Sequence, residues 1–350
     1  WPHARTQRWR FGLKRQLGAN MMIDVAYAAS RSDRMSMSRR LDPLPERYWA
    51  AGQVRNSTLA TDLNQNLPNP FLLSNFSSLQ QSAPLVYQDL STQGFFTSST
   101  IRKHQLLRQF PHMNNVTNTR VATGEERTDS LEVSFEKRMS HGLLFNLGYA
   151  WTRDDETFYE NEFDTTTVWR PSNDARPHRV VLSTVYELPW GKGRAWIQQG
   201  WLSKIAGGWQ LGAALQYQPG PLLGWGNLFY YGDLNNIARH GSDRTLDQWF
   251  NTAAFERNSA RGPDSFHRRI FPTRLPGIRQ DSTKQLDMNL LRSFKIRERW
   301  DNQFRLDLIN APNHPQFGGP DTNPFSTNFG VVTSQQATTR WIQLQYRLRF

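Results

Sequence analysis

The last eleven residues, 340–350, read RWIQLQYRLRF, with Ile342, Leu344, Tyr346, Leu348 and Phe350 at every second place and Trp341, Gln343, Gln345, Arg347 and Arg349 between them. A period of two is that of a β-strand whose faces meet different surroundings. The polar row carries two arginines and two glutamines, and the apolar row ends on an aromatic, which fits lipid on one side and water on the other. Such a strand constrains everything before it. In a bilayer its backbone groups find no water, so neighbouring strands must bond them, and only a closed sheet leaves none unpaired.

The same alternation recurs upstream. Trp9, Phe11 and Leu13 alternate with Arg8, Arg10, Gly12 and Lys14; after Gly18 and Ala19 the row Met21, Ile23, Val25, Tyr27 and Ala29 completes a hairpin. Leu131, Val133 and Phe135 pair in the same way with Phe145, Leu147, Tyr149 and Trp151 across a turn at 138–142. Val180, Leu182, Thr184, Tyr186 and Leu188 answer Trp209, Leu211, Ala213, Leu215 and Tyr217, and the longer connection 191–208 is expected to hold an irregular piece. Leu286, Met288, Leu290, Phe294 and Ile296 turn at 297–299 into Phe304, Leu306 and Leu308. Arg292 interrupts that apolar row, which predicts either a snorkelling side chain or a bulge.

With the closing strand the count is nine, and long polar excursions at 30–128, 153–177, 219–283 and 311–339 alternate with the short turns. All long loops therefore lie at one end of the sheet. In an outer-membrane barrel these are extracellular and the turns periplasmic, placing Phe350 at the periplasmic edge. Bacterial single-chain barrels have an even strand number, so Trp1 is expected in an extracellular loop with further strands before it.

Composition agrees with this fold class, an all-β, antiparallel transmembrane β-barrel of which this chain is a part. Mean hydropathy is −0.68 and no run of 18 apolar residues exists, which excludes a helical membrane protein. The chain is nonetheless 13% aromatic with 13 Trp, as expected where aromatic girdles flank an apolar band. The absence of Cys excludes a disulfide scaffold and any cysteine-ligated metal. A net charge of +12 is spread as single arginines rather than blocks, and none of the nucleic-acid modules is present, so no nucleic-acid partner is expected.

The stretches TQRWRFGLKRQLGANMMIDVAYAASRS, LPNPF, LEVSFEKRMSHGLLFNLGYAWTR, HRVVLSTVYELPWGKGR, GGWQLGAALQYQPG, FYYGDLNN, FPTRLPGIRQD, LINAPNHPQFGGP and FGVVTSQ, in this order, resemble the C-terminal barrel half of Oar-like TonB-dependent receptors. The resemblance runs from about residue 6 to the end. It implies a Gram-negative outer membrane, a barrel of about 22 strands closed by an N-terminal plug, and solute uptake driven by TonB through that plug. Neither the plug nor a regulatory-like N-terminal domain is matched in residues 1–350. The terminal Tyr346, Leu348 and Phe350 also resemble the signal read by the barrel-assembly machinery, and Asn313-His314-Pro315 matches the family's NHPQF loop, for which no catalytic role is implied.

Candidate chemistry is sparse. Asp154, Asp155, Glu156, Glu160, Glu162 and Asp164 form the densest run of carboxylates, assigned to the loop after Trp151; they offer oxygen ligands to a calcium-like cation or a cationic solute, beside the plainer use of a solvated loop. Eight scattered His include no HExxH, and no GxSxG, P-loop or GxGxxG occurs, so no catalysis and no cofactor are expected. Arg305, Asp307, Arg347 and Arg349 should face the lumen, either lining a solute path or forming a cross-strand polar ladder. Trp49, Trp169, Trp225, Phe229, Tyr230 and Tyr231 are loop aromatics able to stack on a sugar or siderophore or to pack on one another, and Arg31, Arg34, Arg39 and Arg40 are loop cations suited to lipopolysaccharide phosphates. The rival readings are a surface adhesin or secretion-linked barrel without transport, and a soluble lectin-like β-sandwich, which requires every apolar row to be covered by a second sheet.

Overall fold

The hairpins anticipated from alternation are formed in a computed structural model of the chain, which describes residues 3–113, 115–296, 300–336 and 339–350. Among the described residues twelve strands occur in chain order: β1 (Arg5–Leu17), β2 (Met21–Arg40), β3 (Asn66–Pro68), β4 (Thr100–Arg102), β5 (Thr117–Ser140), β6 (Leu143–Phe158), β7 (Val168–Pro171), β8 (His178–Glu187), β9 (Trp209–Gln218), β10 (Thr283–Ile296), β11 (Trp300–Ile309) and β12 (Trp341–Arg349). Neighbours in one antiparallel sheet run β1-β2-β5-β6-β8-β9-β10-β11-β12, with β7 flanking β6, while β3 and β4 make a separate ribbon. Those nine neighbours are the nine alternating rows. The turn expected at 297–299 and residue Trp1 lie outside the described residues.

Register puts all apolar rows on one face. Leu13 sits opposite Val25, Val25 opposite Val133, Val133 opposite Tyr149, Tyr149 opposite Val180 and Val180 opposite Tyr217, and partners across an antiparallel pair share a face. The other face takes Asp24, Ser134, Gly148, Gln216 and Gln285 in equivalent positions. No second sheet covers the apolar face among the described residues: Leu344 and Phe11 remain 67% and 69% exposed. The β-sandwich reading fails on that point.

The strands are also inclined to the row direction. The lateral row that leaves β2 at Met21, beside its turn, passes Lys137, Phe145, Thr184, Ala213, Met288 and Leu308 and reaches β12 at Ile342, beside its long loop. A line straight across the sheet thus climbs from the turn end of one strand to the loop end of another. This stagger is the shear that accompanies the tilted strands of a barrel wall.

Two boundaries depart from expectation. β2 is 20 residues long and β5 is 24, although a tilted strand crosses a bilayer in about 9–11, so both run far past the apolar band. Residues assigned to loops, among them Arg31, Arg34, Arg39, Arg40, Asp154, Asp155 and Trp169, are therefore strand residues. Above the band both faces of the strand carry charge: Arg31 stands opposite Arg127, and Arg127 opposite Asp155, on the face that is apolar lower down. Alternation stops there while the ladder continues. Arg292 needs no bulge, because the register is unbroken on both sides of it; its guanidinium donates to the carbonyl oxygens of Gly207, at 3.2 Å, and Lys204.

The sheet yields a two-sided test. Leu182, on the apolar face between Leu147 and Leu215, should tolerate charge poorly: Leu182→Arg is expected to cost about 2–4 kcal/mol of folding into lipid vesicles. Ser183→Arg, on the opposite face, should stay within about 0.5 kcal/mol in the same denaturant titration. Equal costs at the two positions would show that the faces do not meet different solvents.

Candidate functional site

The polar face carries its charges in paired sets, some across strands and some within one. Arg10 on β1 reaches Asp24 on β2 at 3.5 Å and Glu132 on β5 at 3.3 Å, joining three strands. At the other edge Arg305 donates to both oxygens of Asp307 at 2.9 Å, with Gln345 and Gln343 opposite them on β12. Arg347 lies opposite Gln303 and Arg349 opposite Asp301, so the four candidates Arg305, Asp307, Arg347 and Arg349 share one face of two adjacent strands. Lys295, 3.6 Å from Asp301, adds a cation to this corner, which encloses a recess of about 370 Å³. Neither Lys295 nor Asp301 was singled out from sequence, although Asp301 is in step with Gln303, Arg305 and Asp307.

The carboxylate run does not converge. Asp154 points to the polar face and accepts from Thr128 Oγ1 at 3.1 Å, whereas Asp155 is on the opposite face and binds Arg153 at 2.8 Å. Glu156 is held by Arg170 at 2.8 Å and Arg274 at 2.7 Å. Glu162 binds Arg108 at 2.9 Å and Arg40 at 3.2 Å and accepts from the Leu44 amide at 3.0 Å, so it fastens the 41–116 loop to the β6–β7 connection. Asp164 accepts from the Asn161 amide at 2.7 Å. Among the described residues no group of three or more His or carboxylate side chains is placed to hold a metal ion. Burial raises the Asp154 carboxyl above its ordinary range, and Glu126 rises with it through burial and then the nearby Asp154 and Glu156 charges.

The long loops fold into two apolar cores. Trp225 stacks on Phe255 with ring centroids 5.9 Å apart and meets Phe250 edge-on at 4.9 Å; Tyr230 lies 4.6 Å from Phe255, and Phe329 from the last loop packs against the same ring. Trp225, Phe229 and Tyr230 are thus buried structural rings, and only their neighbour Tyr231 is exposed. Trp169 stacks under Arg127, 4.0 Å from its guanidinium carbon. Arg269 binds this core to the chain around it, donating to the carbonyls of Trp225, Gly226 and Phe271 at 3.1, 3.0 and 3.2 Å, and its burial lowers its guanidinium pKa.

The second core, Leu44, Ala60, Leu63 and Phe266, presents Ala60 and Phe266 to a cavity of about 760 Å³ between the 41–116 and 219–283 loops. Trp49, Arg55, His104, Arg108, Glu162 and Asp264 line it. Arg108 and Glu162 satisfy each other, while Asp264 Oδ2 is 3.9 Å from Arg55 Nε, and that oxygen and His104 Nδ1 are buried without a hydrogen bond. Burial holds the His104 imidazole below its ordinary value of 6.5, and the charges of Arg108 and Arg102 push it the same way. The cavity offers a carboxylate acceptor, a neutral imidazole, a guanidinium and the Trp49 and Phe266 rings, a set suited to a small ligand with hydroxyl or amide groups. Of these residues only Trp49 and Glu162 were candidates from sequence. The others stand far apart in the chain with no local pattern to link them.

The outer membrane beta barrel domain family matches residues 1–343. No curated protein matches the chain. Among solved structures it is similar to the pyoverdine outer membrane receptor FpvA from Pseudomonas aeruginosa PAO1 bound to pyoverdine, at 10% identity and TM-score 0.41 over 99% of this chain and 30% of that one. It is also similar to the outer membrane transporter YddB from Escherichia coli, at 10% identity and TM-score 0.38 over 99% and 33%, and to the ferric-catecholate import receptor Fiu from E. coli K12, at 9% and 0.39 over 98% and 27%. The chain spans between about a quarter and a third of the length of these three structures.

Two outcomes follow from the cavity wall. Glu162→Ala leaves the Leu44 amide without its acceptor and Arg108 with only the Asp42 carbonyl, at 2.8 Å, so the 41–63 segment should lose roughly 1–3 kcal/mol of protection in hydrogen exchange while the strand amides of β8 and β9 keep theirs. For His104 the folded pKa lies below the unfolded one, so its contribution is complete above pH 6.5, declines as pH falls through that value, and is gone below the depressed folded pKa. Protection factors in this loop, corrected for the intrinsic pH dependence of amide exchange, should fall on acidification from pH 7 to 5, and His104→Gln should flatten the profile.

Proposed function

The chain belongs to the outer membrane beta barrel domain family, and from that premise we propose that it is the wall and loop portion of a TonB-dependent receptor that takes up a solute. One observation carries the reading: a tilted sheet, apolar on one face and polar with internally paired charges on the other, bears at one end loops folded around a polar cavity. The apolar face meets lipid and the polar face the lumen. In this reading the long loops are extracellular, the turns periplasmic, and the remaining strands and the plug that meets TonB belong to other parts of the parent protein.

Each group then has a role. Tyr346 and Leu348 alternate on the lipid side of β12, and Phe350, just past its end, has its ring 6.1 Å from that of Trp300, the pattern a signal for the barrel-assembly machinery requires. Arg305, Asp307, Arg347 and Arg349 line the lumen, where ion pairing within the wall keeps Arg305 and Asp307 in place and leaves the Arg347 side of the recess cationic. Above the band the lipid-side charges, Arg31 with Asp129 at 2.8 Å and Arg153 with Asp155 at 2.8 Å, stand at the height of lipopolysaccharide phosphates. Solute recognition is assigned to the loop cavity, with Asp264, Arg55 and His104 as its polar contacts and Trp49 as its ring. Siderophore, oligosaccharide and peptide all present the donors and acceptors it offers. No catalytic step is assigned to any residue.

Uptake separates this proposal from a surface adhesin. Cells producing the parent protein would be offered labelled ferric catecholate, cobalamin, maltodextrin and a short peptide, with and without TonB. One of these should accumulate only when TonB is present, and Asp264→Asn should weaken its capture about tenfold, the equivalent of roughly 1.4 kcal/mol. Capture at the surface with no accumulation would overturn transport and leave the adhesin.

A further inference from the structure

Among the described residues, the connection between β8 and β9 is the one short-side link that carries its own structure, and it is pinned to the apolar side of the wall. Its helix, Gly200–Ala206, ends where Arg292 donates to the carbonyls of Gly207 and Lys204, which places a cation on the negative end of the helix. Trp209 Nε1 donates to the Ile205 carbonyl at 3.0 Å. Both anchors belong to the apolar face, since Trp209 stands opposite Arg292 and Arg292 opposite Phe304 in the row that continues to Tyr346. At the base of the link Gly191 and Gly207 approach so closely that a Cβ on Gly191 would stand 2.6 Å from the Gly207 Cα. The link is therefore held to one side of the sheet and does not extend straight from its end.

What it exposes there is apolar. Trp196, Trp201, Leu202 and Ile205 are 63%, 68%, 53% and 54% exposed, beside the cations Lys192 and Lys204. We propose that the 189–208 link is a membrane-surface anchor, lying in the phospholipid headgroup layer at the turn end of the wall with Trp201, Leu202 and Ile205 toward the acyl chains. Three observations favour lipid as the occupant. The patch is continuous with the apolar face through Trp209, Phe304 and Tyr346; tryptophan is the side chain that settles at this depth; and the lysines fit phosphate headgroups. The inference rests on the apolar face of the sheet meeting lipid.

Depth measurement tests it, and the two premises fail differently. Single cysteines at 202, at 306 on the apolar face of β11 and at 85 in the loop helix Pro84–Ser91 would be spin-labelled in the membrane-assembled parent protein. The bilayer would be phosphatidylethanolamine with phosphatidylglycerol, and the ratio of oxygen to nickel-complex accessibility reports depth. Expected is the order 306 deepest, 202 intermediate with a ratio several-fold above that at 85, and 85 in water. A label at 202 indistinguishable from 85, with 306 still deep, overturns the anchor and leaves the lipid-facing wall intact. A label at 306 in water removes the lipid-facing reading and the anchor with it.

Discussion

The need of each strand for a backbone partner on both sides governs this structure. Seven of the nine wall strands, β2 to β11 along the sheet order, have two neighbours, and the registers leave no gap between them apart from irregularities above the band on β2 and β5 and at the β5–β6 turn. β1 and β12 have one neighbour each among the described residues. A free strand edge in hydrocarbon forfeits several kcal/mol for each unpaired group, so a wall of this kind functions only as an arc of a closed ring. The observed stagger from Met21 to Ile342 is what an arc needs in order to close with tilted strands.

Partnering also explains how much the sequence revealed. Period-two alternation records a difference in solvent between the two faces, and that difference exists only across the apolar band. There, all nine rows are legible, down to the parity that puts Arg305 and Asp307 with Arg347 and Arg349. Above the band both faces meet water, so Arg31, Arg127 and Asp155 can occupy outward positions at no cost and the pattern disappears while the hydrogen-bond ladder goes on. Alternation therefore marks strands shorter than the ladder that forms, and Asp154 and Asp155, loop-like by pattern, are paired with Thr128 and Arg127 on β5.

The loops were opaque for a different reason. Their cores are assembled from single aromatics separated by tens of residues, Trp225 stacking on Phe255 and Phe329 meeting Phe255 edge-on, and no period in the chain marks them. Burial converted Trp225 and Tyr230 from presentable rings into structural ones. The carboxylates met the same fate: Glu156 and Glu162, each flanked by two arginines, are fastenings between loops and wall.

Polar groups left without partners then acquire meaning by contrast. In loops where Arg269 satisfies three carbonyls and Arg279 donates to two, the buried polar atoms without a hydrogen bond include Asp42 Oδ2, Trp225 Nε1 and His267 Nε2, but Asp264 Oδ2 and His104 Nδ1 are the two that line one cavity. A fold that spends arginines freely on backbone oxygens could have closed this cavity in the same way, since Arg55 already stands 3.9 Å from Asp264 and donates instead to Ser259 and Gly262. An unpaired acceptor with a cation held just beyond bonding distance is costly for stability alone, and it is the arrangement that a polar ligand entering between them would complete.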